Sequence, residues 1–449
     1  MLHNNIELHK KYGPVIRTAP NQLDFCNPAA YHDIYSSGFN GIKDPESYEH
    51  LGGEEPTFFT MSESAEFRAR YRPVASLFGK RHYDRCEPSI RESRDKKVEL
   101  FCRLLSVQAR AQQPCNLGTG YRSLTLKIAM DFIFSSVPDH LKCLASENFD
   151  DPLTVATGLA MNWTVWLARG FPNVNKLAFA LPHCLVGLFT RAFEGSIQVG
   201  EILEAALEHE KDPNTPKNVD SMIQRLLNAH LDSKSDSTQP HSDNVLLSEV
   251  EVTMWGGMID LSNIFPFGTF MVSRDLMLQQ RLYEELKSLW SDLNTPVPSY
   301  TVLRELPLLN GVVKESMRLT HGVVTGPPRL VCEGSQIDGH LIPAKAVVAA
   351  PSYFVHMDAE TFADPEKFDP ERWFGNDYSE SLVVFSKGRR MCPASHLSYI
   401  EMFLTFASVF RRYRVTPYET TIDHFNWNQY FSIQFNQRPL RVMLEERID

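Results

Sequence analysis

Long apolar runs and closely spaced cysteines are both missing from this sequence of 449 residues. A membrane-spanning helix needs about 18 or more consecutive apolar residues, and no stretch meets that length. The best candidate, residues 177–189, is too short and is interrupted by Pro182 and His183. No signal peptide opens the chain. The sequence therefore predicts either a soluble protein or one whose N-terminal membrane anchor has been removed.

Basic residues are also in deficit. Lys and Arg number 45 against 55 Asp and Glu, a formal net charge of −10. This balance implies no broad basic surface and argues against a nucleic-acid partner, although it leaves open a local basic patch for docking a redox partner. The 8 cysteines are scattered without a CxxC pair, which argues against a disulfide framework or a zinc site and favours a reducing compartment.

No linker divides the chain. Length alone favours two or three domains. The most polar stretch, residues 232–243, is short and reads as a surface loop between helices. We therefore predict one domain spanning residues 1–449.

The elements predict a mainly α fold with small β regions. A helix and short strands fill the first 35 residues, with the strands at 14–25, and helical patterns dominate from about 66 to about 320. Residues 246–274 form the longest helical candidate, which Pro266 should bend. Extended pieces follow at 329–332 and 346–351. A last helix is predicted after Cys392, with apolar residues at helical spacing: Leu397, Ile400, Leu404, Ala407 and Phe410.

The segment 385–394, FSKGRRMCPA, has the properties of a loop that presents a cysteine thiolate to a metal. Such a sulfur needs a stiff loop, shielding from water and donors that stabilise negative charge. Gly388 allows a tight turn, and Pro393 in the first turn of a helix adds the helix N-terminal field at Cys392. An isolated buried cysteine is more often an inert core residue.

A second pattern links charges along the chain. Glu315 and Arg318, three residues apart in KESMR, face the same side of a helix. One interpretation is a surface ion pair of little energetic value. The other is a buried network in which Arg372, from PERW, shares Glu315 and locks the loop that presents Cys392.

Together these motifs resemble the cytochrome P450 superfamily. FxxGxRxC, ExxR and PERW occur in the family's order, and the resemblance runs from about Lys11 to Arg441. The sequence flanking these motifs is similar to that of fungal secondary-metabolite members of the family, including trichodiene-oxygenase-like enzymes. The resemblance implies the cytochrome P450 fold and heme b as cofactor, with Cys392 as the axial ligand of the heme iron. It also implies that Phe385 covers the sulfur and that Arg390 meets a heme propionate.

Further heme contacts follow from the resemblance. Arg329 in GPPRLV matches the arginine that meets a propionate after the ExxR helix. At residues 67–71, FRARY replaces the family's HRxRR, so the usual propionate partners at Phe67 and Tyr71 are missing. Arg68, or else Arg70 or Arg72, could substitute; a solvated surface arginine is the alternative. We take Arg68 as the candidate.

The oxygen-activation motif departs from the family. The central helix of relatives carries [A/G]Gx[D/E]T, whose acid and hydroxyl deliver the protons with which dioxygen is cleaved. This chain reads GGMIDLS from 256 to 262, so Ile259 replaces the acid and Asp260 the threonine. Gly256 and Gly257 lower helix stability, which makes sense if the backbone approaches the heme or leaves a groove for oxygen.

Three interpretations of Asp260 compete. Asp260 itself supplies the proton, with Ser262 or Asn263, which preserves oxygenase chemistry; we favour this one, with Asp260, Gly257 and Ser262 as the catalytic candidates. A substrate hydroxyl could relay the proton instead. The third is an atypical enzyme that catalyses rearrangement, dehydration or cyclisation without oxygen insertion. A purely structural alternative is that Asp260 caps a local helix distortion.

The resemblance also suggests a substrate and partners. Phe58, Trp255, Met258 and Val324 would line an apolar pocket, closed by residues 425–431, for a lipophilic, terpenoid-like molecule; all could equally be core. The enzyme would take electrons from a separate NADPH–cytochrome P450 reductase, because the chain contains no GxGxxG. We expect the protein at the cytosolic face of the endoplasmic reticulum membrane if an anchor was removed, and otherwise in the cytoplasm. A heme-binding or gas-sensing protein is the non-enzymatic alternative, weakened because no signalling segment is visible.

Overall fold

The computed structural model describes eight ranges of the chain, with no account of side chains at 80–93, 191–193 and 229–232. The ranges are 2–48, 55–62, 65–161, 191–218, 220–232, 242–429, 431–435 and 440–447. The apolar stretch 177–189 and most of the polar loop 232–243 lie outside the described residues. Within these ranges no helix combines the length and apolarity that crossing a bilayer requires.

Helices make up most of the described chain. In order they are α1 (Leu2–Tyr12), α2 (Pro28–Tyr35), α3 (Pro45–Tyr48), α4 (Ala65–Phe78), α5 (Lys80–Arg110), α6 (Leu117–Ile133), α7 (Pro152–Ala160), α8 (Arg191–Lys211), α9 (Met222–Asp232), α10 (Asp243–Met258), α11 (Leu261–Ser273), α12 (Leu276–Leu289), α13 (Tyr300–Leu303), α14 (Pro307–Thr320), α15 (Ser352–His356) and α16 (Ser395–Arg412). Short 3₁₀ turns include Pro370–Trp373 and Gly388–Arg390.

The strands are short and form small sheets. They are β1 (Val15–Ala19), β2 (Gln22–Phe25), β3 (Gly41–Lys43), β4 (Cys115–Asn116), β5 (Arg329–Val331), β6 (Ser335–Ile337), β7 (His340–Ile342), β8 (Val347–Ala349), β9 (Tyr413–Pro417), β10 (Trp427–Gln429), β11 (Ile433–Phe435) and β12 (Arg441–Glu446). The described sheets have the orders β1-β2-β8-β5-β3 and β4-β12-β9, with β6-β7 and β10-β11 as hairpins. The predicted mainly α class with small β regions is confirmed.

The chain divides into two compact units. The first comprises residues 1–42, 88–121 and 260–449, and the second comprises 43–87 and 122–259. In the first unit α16 is a core helix: its five predicted apolar positions are all buried. A separate apolar cluster of this unit joins α2 to the five-stranded sheet. In the second unit α7 packs against α8, where a Cβ on Gly195 would lie 2.6 Å from the Ala156 carbonyl oxygen.

The prediction of one helix over 246–274 is wrong. Helix α10 ends at Met258 and α11 begins at Leu261, with Ile259 and Asp260 in a turn between them. The interruption comes one residue after Gly256 and Gly257, which weaken a helix relative to alanine. Pro266 lies inside α11 without ending it.

Candidate active site

The cysteine loop is closed by its own backbone. The Cys392 N–H donates to the Phe385 carbonyl oxygen at 2.8 Å, and α16 begins three residues later. Cys392 is half-buried. Burial raises the pKa of its thiol to about 11, while the backbone N–H groups of Ala394 and Ser395 at the sulfur act in the opposite direction. The loop thus supplies the backbone donors that a bound thiolate needs.

Position 388 requires a glycine because the backbone of residues 35 and 36 lies too close to leave room for a side chain. The φ of Gly388 is +69°, in the left-handed region, and a Cβ there would lie 2.4 Å from the Tyr35 carbonyl oxygen and 3.0 Å from the Ser36 carbonyl carbon. The sequence predicted a tight turn at this glycine. In the structure the space that it leaves is filled by the end of α2.

Replacing Gly388 by alanine should lower the free energy of unfolding by at least about 2 kcal/mol, because backbone strain and a clash with Tyr35 add together. Urea unfolding of the purified protein measures the loss. Gly375→Ala is the matched control, since Gly375 has the same φ of +69° but nothing within 4 Å of its Cβ position. Equal losses in the two variants would contradict the steric argument.

The ExxR residues form a fully buried ion pair, so the surface interpretation is wrong. Glu315 and Arg318 are both 0 % exposed. Arg318 Nη2 donates to Glu315 Oε1 at 2.7 Å and Arg318 Nε to Oε2 at 2.9 Å. Arg372 Nε donates to Oε1 at 3.0 Å, so the structure brings the three predicted residues together. Trp373 Nε1 donates to Oε2 at 2.9 Å, and the Asp369 N–H donates to Oε1 at 3.0 Å.

This hydrogen-bond network extends to the segment that precedes the cysteine loop. Arg318 Nη1 donates to the carbonyl oxygen of His356 at 2.8 Å. His356 Nε2 in turn accepts from the Val383 N–H at 3.0 Å, two residues before Phe385. Burial holds the pKa of His356 well below its usual range, so the ring is neutral and can accept. His356 was missed by sequence reasoning, because a lone histidine in a short helix carries no spacing signal.

The predicted propionate arginines differ in their surroundings. Arg329 is buried, 6 % exposed, and among the described residues its only oxygen partners are the carbonyls of Pro327 and Pro328. Its guanidinium also lies 5.3 Å from the centre of the Tyr35 ring. A buried guanidinium without a carboxylate has a charge left to satisfy. Arg390 is half-buried in the 3₁₀ turn that precedes Cys392.

In the second unit two arginines of α4 differ in their exposure to solvent. Arg68 is exposed. Arg70 is buried, and its Nη1 lies 3.8 Å from Glu249 Oε1. Arg68 therefore has the surroundings of a solvated arginine within its unit, and its role at a propionate stays a prediction.

Asp260 lies at the helix interruption with an unsatisfied oxygen. It occupies the position before α11, yet its side chain makes no capping hydrogen bond, so the capping interpretation is wrong. Its Oδ1 is buried and finds no hydrogen-bond partner among the described residues. Burial raises the pKa of the carboxyl, and the Ser432 side chain partly opposes this. The Asp260 charge also raises the pKa of the Cys392 thiol.

Ser432 was not a sequence candidate. It is buried just before β11. Asn263 Nδ2 donates to the Ile433 carbonyl oxygen at 2.9 Å and fixes this strand beside α11. Ser262 is also buried, 9 % exposed. Nothing in the sequence near residue 432 signals this proximity, which depends on tertiary structure.

Gly257 has a packing role in the second unit. A Cβ there would lie 3.2 Å from the Ala129 Cβ of α6, whereas Gly256 is exposed and meets nothing within 4 Å. The absence of a side chain at Gly257 thus lets α10 approach α6.

The predicted pocket residues occupy both units. In the first unit Val324 is fully buried and packs in a cluster with Leu2 and Ile433. The Thr325 hydroxyl donates to the Phe431 carbonyl oxygen at 3.4 Å, so the two segments predicted to line and close the pocket are neighbours. In the second unit Met258 is fully buried and Trp255 is half-buried.

Phe58 is held through its backbone by a buried carboxyl that the sequence did not single out. Its N–H donates to Glu249 Oε1 at 3.0 Å, and its ring lies 5.8 Å from that of Tyr71. Glu249 is 1 % exposed. Burial raises its pKa to about 8, against the opposing effects of the Phe58 N–H and Arg70.

We expect Glu249 to make the protein less stable as pH rises toward 8. The folded pKa of about 8 exceeds the ordinary value of 4.5, so unfolding releases a proton between these values and stability falls with rising pH. Thermal unfolding across this window should show the decline, and Glu249→Gln should remove part of it. An unchanged pH dependence in that variant would contradict the assignment.

Comparison with known proteins shows the family of this chain. The sequence profile of the family described as Cytochrome P450 matches residues 1–444. The cytochrome P450 monooxygenase ppzG of Metarhizium majus is 49% identical over 315 residues, 65% of this chain and 96% of the relative. Its namesake from Metarhizium rileyi is 46% identical over 237 residues, 48% of this chain and 94% of the relative.

A more distant relative covers more of the sequence. The cytochrome P450 monooxygenase BOT1 of Botryotinia fuckeliana is 27% identical over 433 residues, 94% of this chain and 82% of the relative. All three relatives are fungal enzymes with monooxygenase in their names. The chain belongs to the cytochrome P450 family of heme enzymes.

Proposed function

We propose that this protein is a heme-thiolate monooxygenase that oxidises a lipophilic, terpenoid-like secondary metabolite, with Cys392 as the axial ligand. The observation that carries the proposal is the setting of the Cys392 sulfur. It lies just before α16, where burial raises the pKa of the thiol and the Ala394 and Ser395 N–H groups at the sulfur act in the opposite direction. The helix N-terminal field also favours a negatively charged sulfur there.

The surroundings of the loop fit heme b. Arg329 brings a buried positive charge with no carboxylate partner in the described chain, which suits a propionate. Arg390 offers a second cation from the turn before the cysteine. The Phe385 ring packs 5.3 Å from the Tyr399 ring and adds apolar cover beside the loop. When bound, heme supplies the iron at which dioxygen is reduced.

Asp260 is the proposed proton donor, and Ser432 is its partner hydroxyl. A carboxyl with a raised pKa retains a proton that it can deliver. The buried Oδ1, without a partner among the described residues, leaves one oxygen free for a water or a reacting group. This pair takes the place of the acid and threonine that relatives carry on one helix. Ser262 and Gly257 remain catalytic candidates on sequence grounds.

Asp260→Asn should lower product formation by about 10²-fold or more, because the amide cannot deliver the proton. Heme content and the spectral change on substrate binding should stay unchanged, since the amide has nearly the same shape. Asp243→Asn is the control: Asp243 opens α10 with a side chain that is 71% exposed, and its replacement should have no effect. Wild-type turnover in the Asp260 variant would remove the proton-delivery role.

The function is tested by co-expression in yeast with an NADPH–cytochrome P450 reductase, feeding candidate terpenoids under isotopically labelled dioxygen. Label in the product, dependent on NADPH, is the expected result. The reductase is taken to be a separate chain, and residues 1–449 are taken as one catalytic domain.

A second candidate is an atypical P450 that catalyses rearrangement, dehydration or cyclisation without inserting oxygen. It is favoured by the carboxyl at position 260, since a protonated acid also serves such reactions. A changed product without label and without NADPH consumption would establish it in place of the monooxygenase. An unlabelled product that requires NADPH would indicate desaturation.

A further inference from the structure

Tyr35, the last residue of α2, packs against the arginine that we assign to a heme propionate. Its side chain is buried, with the residue 3 % exposed. The guanidinium carbon of Arg329 lies 5.3 Å from the centre of the Tyr35 ring, within the range of a cation–π contact. No sequence motif singled out Tyr35, and the proposed chemistry gives its side chain no role.

The Tyr35 hydroxyl joins the two neighbouring strands β5 and β8 at the position of this arginine. It donates to the Pro327 carbonyl oxygen at 3.0 Å, two residues before Arg329, and accepts from the N–H of Ala350, directly after β8, at 3.2 Å. The same Pro327 oxygen accepts from Arg329 Nη1 at 3.4 Å. The phenol and the guanidinium therefore share one acceptor, so a displaced Tyr35 side chain would also disturb the contact that holds Arg329.

The end of α2 contacts the cysteine loop as well. The Tyr35 carbonyl oxygen occupies the space that Gly388 leaves, 2.4 Å from the position of a Cβ there. Arg389 Nη2 donates to the Phe39 carbonyl oxygen at 3.1 Å. Residues 35–39 thus contact both the loop that presents Cys392 and the arginine assigned to a propionate.

A fixed guanidinium binds a carboxylate better than a freely rotating one. An arginine side chain loses rotamer freedom when it is held in one place, and that loss opposes binding. The Tyr35 ring on the guanidinium and the shared Pro327 oxygen restrict Arg329 before any ligand is bound. Less entropy is then lost when Arg329 pairs with a propionate, so the pair is stronger.

We propose that Tyr35 is a positioning residue for the heme, which slows the loss of heme from the folded protein by fixing the Arg329 guanidinium. The inference rests on the proposed role of Arg329 at a propionate. Tyr35 acts through Arg329 and needs no contact with the heme. A positive charge near the iron favours its reduced form, so the fixed guanidinium also raises the reduction potential.

Transfer of heme from the loaded full chain to an excess of heme-free myoglobin measures the rate of heme loss. Tyr35→Phe keeps the ring and removes the hydroxyl, and it should speed the loss about fivefold. Tyr35→Leu removes the aromatic ring as well and should speed it about tenfold or more. The reduction potential of the iron should fall in both variants, which a loss of stability alone does not predict.

Tyr413→Phe is the matched control for the loss of a buried tyrosine hydroxyl. Tyr413 is 1 % exposed, and its hydroxyl donates to the Cys102 carbonyl oxygen at 2.6 Å. This variant should unfold at a lower temperature but keep the wild-type rate of heme loss and the wild-type reduction potential.

Arg329→Gln decides whether Tyr35 acts through the guanidinium. Alone it should speed heme loss about tenfold or more. In that background Tyr35→Phe should add less than about twofold, because the two residues act as one unit. Equal effects of Tyr35→Phe in both backgrounds, or a wild-type rate in Tyr35→Phe alone, would overturn the inference and leave the role of Arg329 intact. A wild-type rate in Arg329→Gln would instead remove the propionate role of Arg329, and the inference with it. Tyr35→Phe keeps the test decisive even if Tyr35→Leu fails to fold.

Discussion

Glu315→Ala should abolish the folded, heme-loaded protein. The substitution would leave the guanidinium groups of Arg318 and Arg372 without the carboxylate that they now share at 2.7 Å and 3.0 Å. Removing one partner of a buried ion pair costs about 3–5 kcal/mol. That is a large part of the roughly 5–15 kcal/mol that stabilises a typical folded protein. The bonds from Trp373 Nε1 and the Asp369 N–H would be lost as well.

The yield of soluble protein, the heme content per chain and thermal unfolding measure this effect. Glu371→Ala is the matched control, because Glu371 lies in the same short turn as Arg372 and pairs with Arg281 at the surface, both 50% exposed. An exposed pair of this kind is worth roughly 0–1 kcal/mol. If the Glu315 variant unfolds at the temperature of the Glu371 variant, the network does not stabilise the fold as argued.

Glu315→Gln separates charge from shape. The amide can accept from Arg318 through its oxygen, but its NH₂ group faces guanidinium donors. We expect a protein less stable than wild type, because the buried guanidinium charges remain without a countercharge.

Local spacing explains why this network was predictable and where the prediction stopped. Glu315 and Arg318 are three residues apart on one helix, so their proximity follows from helix geometry. Arg372 is 57 residues from Glu315 in sequence, so its proximity depends on tertiary structure and not on local spacing. The link through His356 to Val383 joins segments that are far apart in sequence, and no spacing rule connects them.

The helix interruption at Asp260 was missed for a different reason. Residues 246–274 are apolar on most faces, and such a pattern indicates burial without showing where the hydrogen-bond ladder breaks. Two glycines marked a weak point, but the end at Met258 depends on packing. Ser432 beside Asp260 is a tertiary contact that only the structure could supply.

For the predicted pocket residues, too, an apolar sequence pattern indicates burial but not the role of the buried side chain. Val324 and Met258 are apolar and fully buried, which is what core residues and pocket linings have in common. Phe58 differs, because a buried carboxyl fixes its backbone. Glu249 could not be found from sequence, since a single glutamate on a helix is usually solvated.

Cys392→Ser should leave a folded protein without thiolate ligation or product formation. The fold should survive because the bond that closes the loop uses the backbone N–H of Cys392 and not its side chain. The hydroxyl is a poor anion, so the Ala394 and Ser395 N–H groups would lose the charged partner that a thiolate provides. The expected spectroscopic result is the disappearance of the thiolate-type absorption band of the reduced, carbon monoxide-bound protein.

Cys332→Ser is the matched control for this prediction, since Cys332 is exposed and lies away from the loop in sequence. It should keep both the band and the activity. A thiolate-type band that persists in Cys392→Ser would mean that another cysteine binds the iron, and the roles inferred for Arg390 and Phe385 would fall with it. If instead the band disappears while thermal unfolding stays close to wild type, ligation depends on this one sulfur and the fold does not. That separation between ligation and folding is what a loop closed by its own backbone should produce.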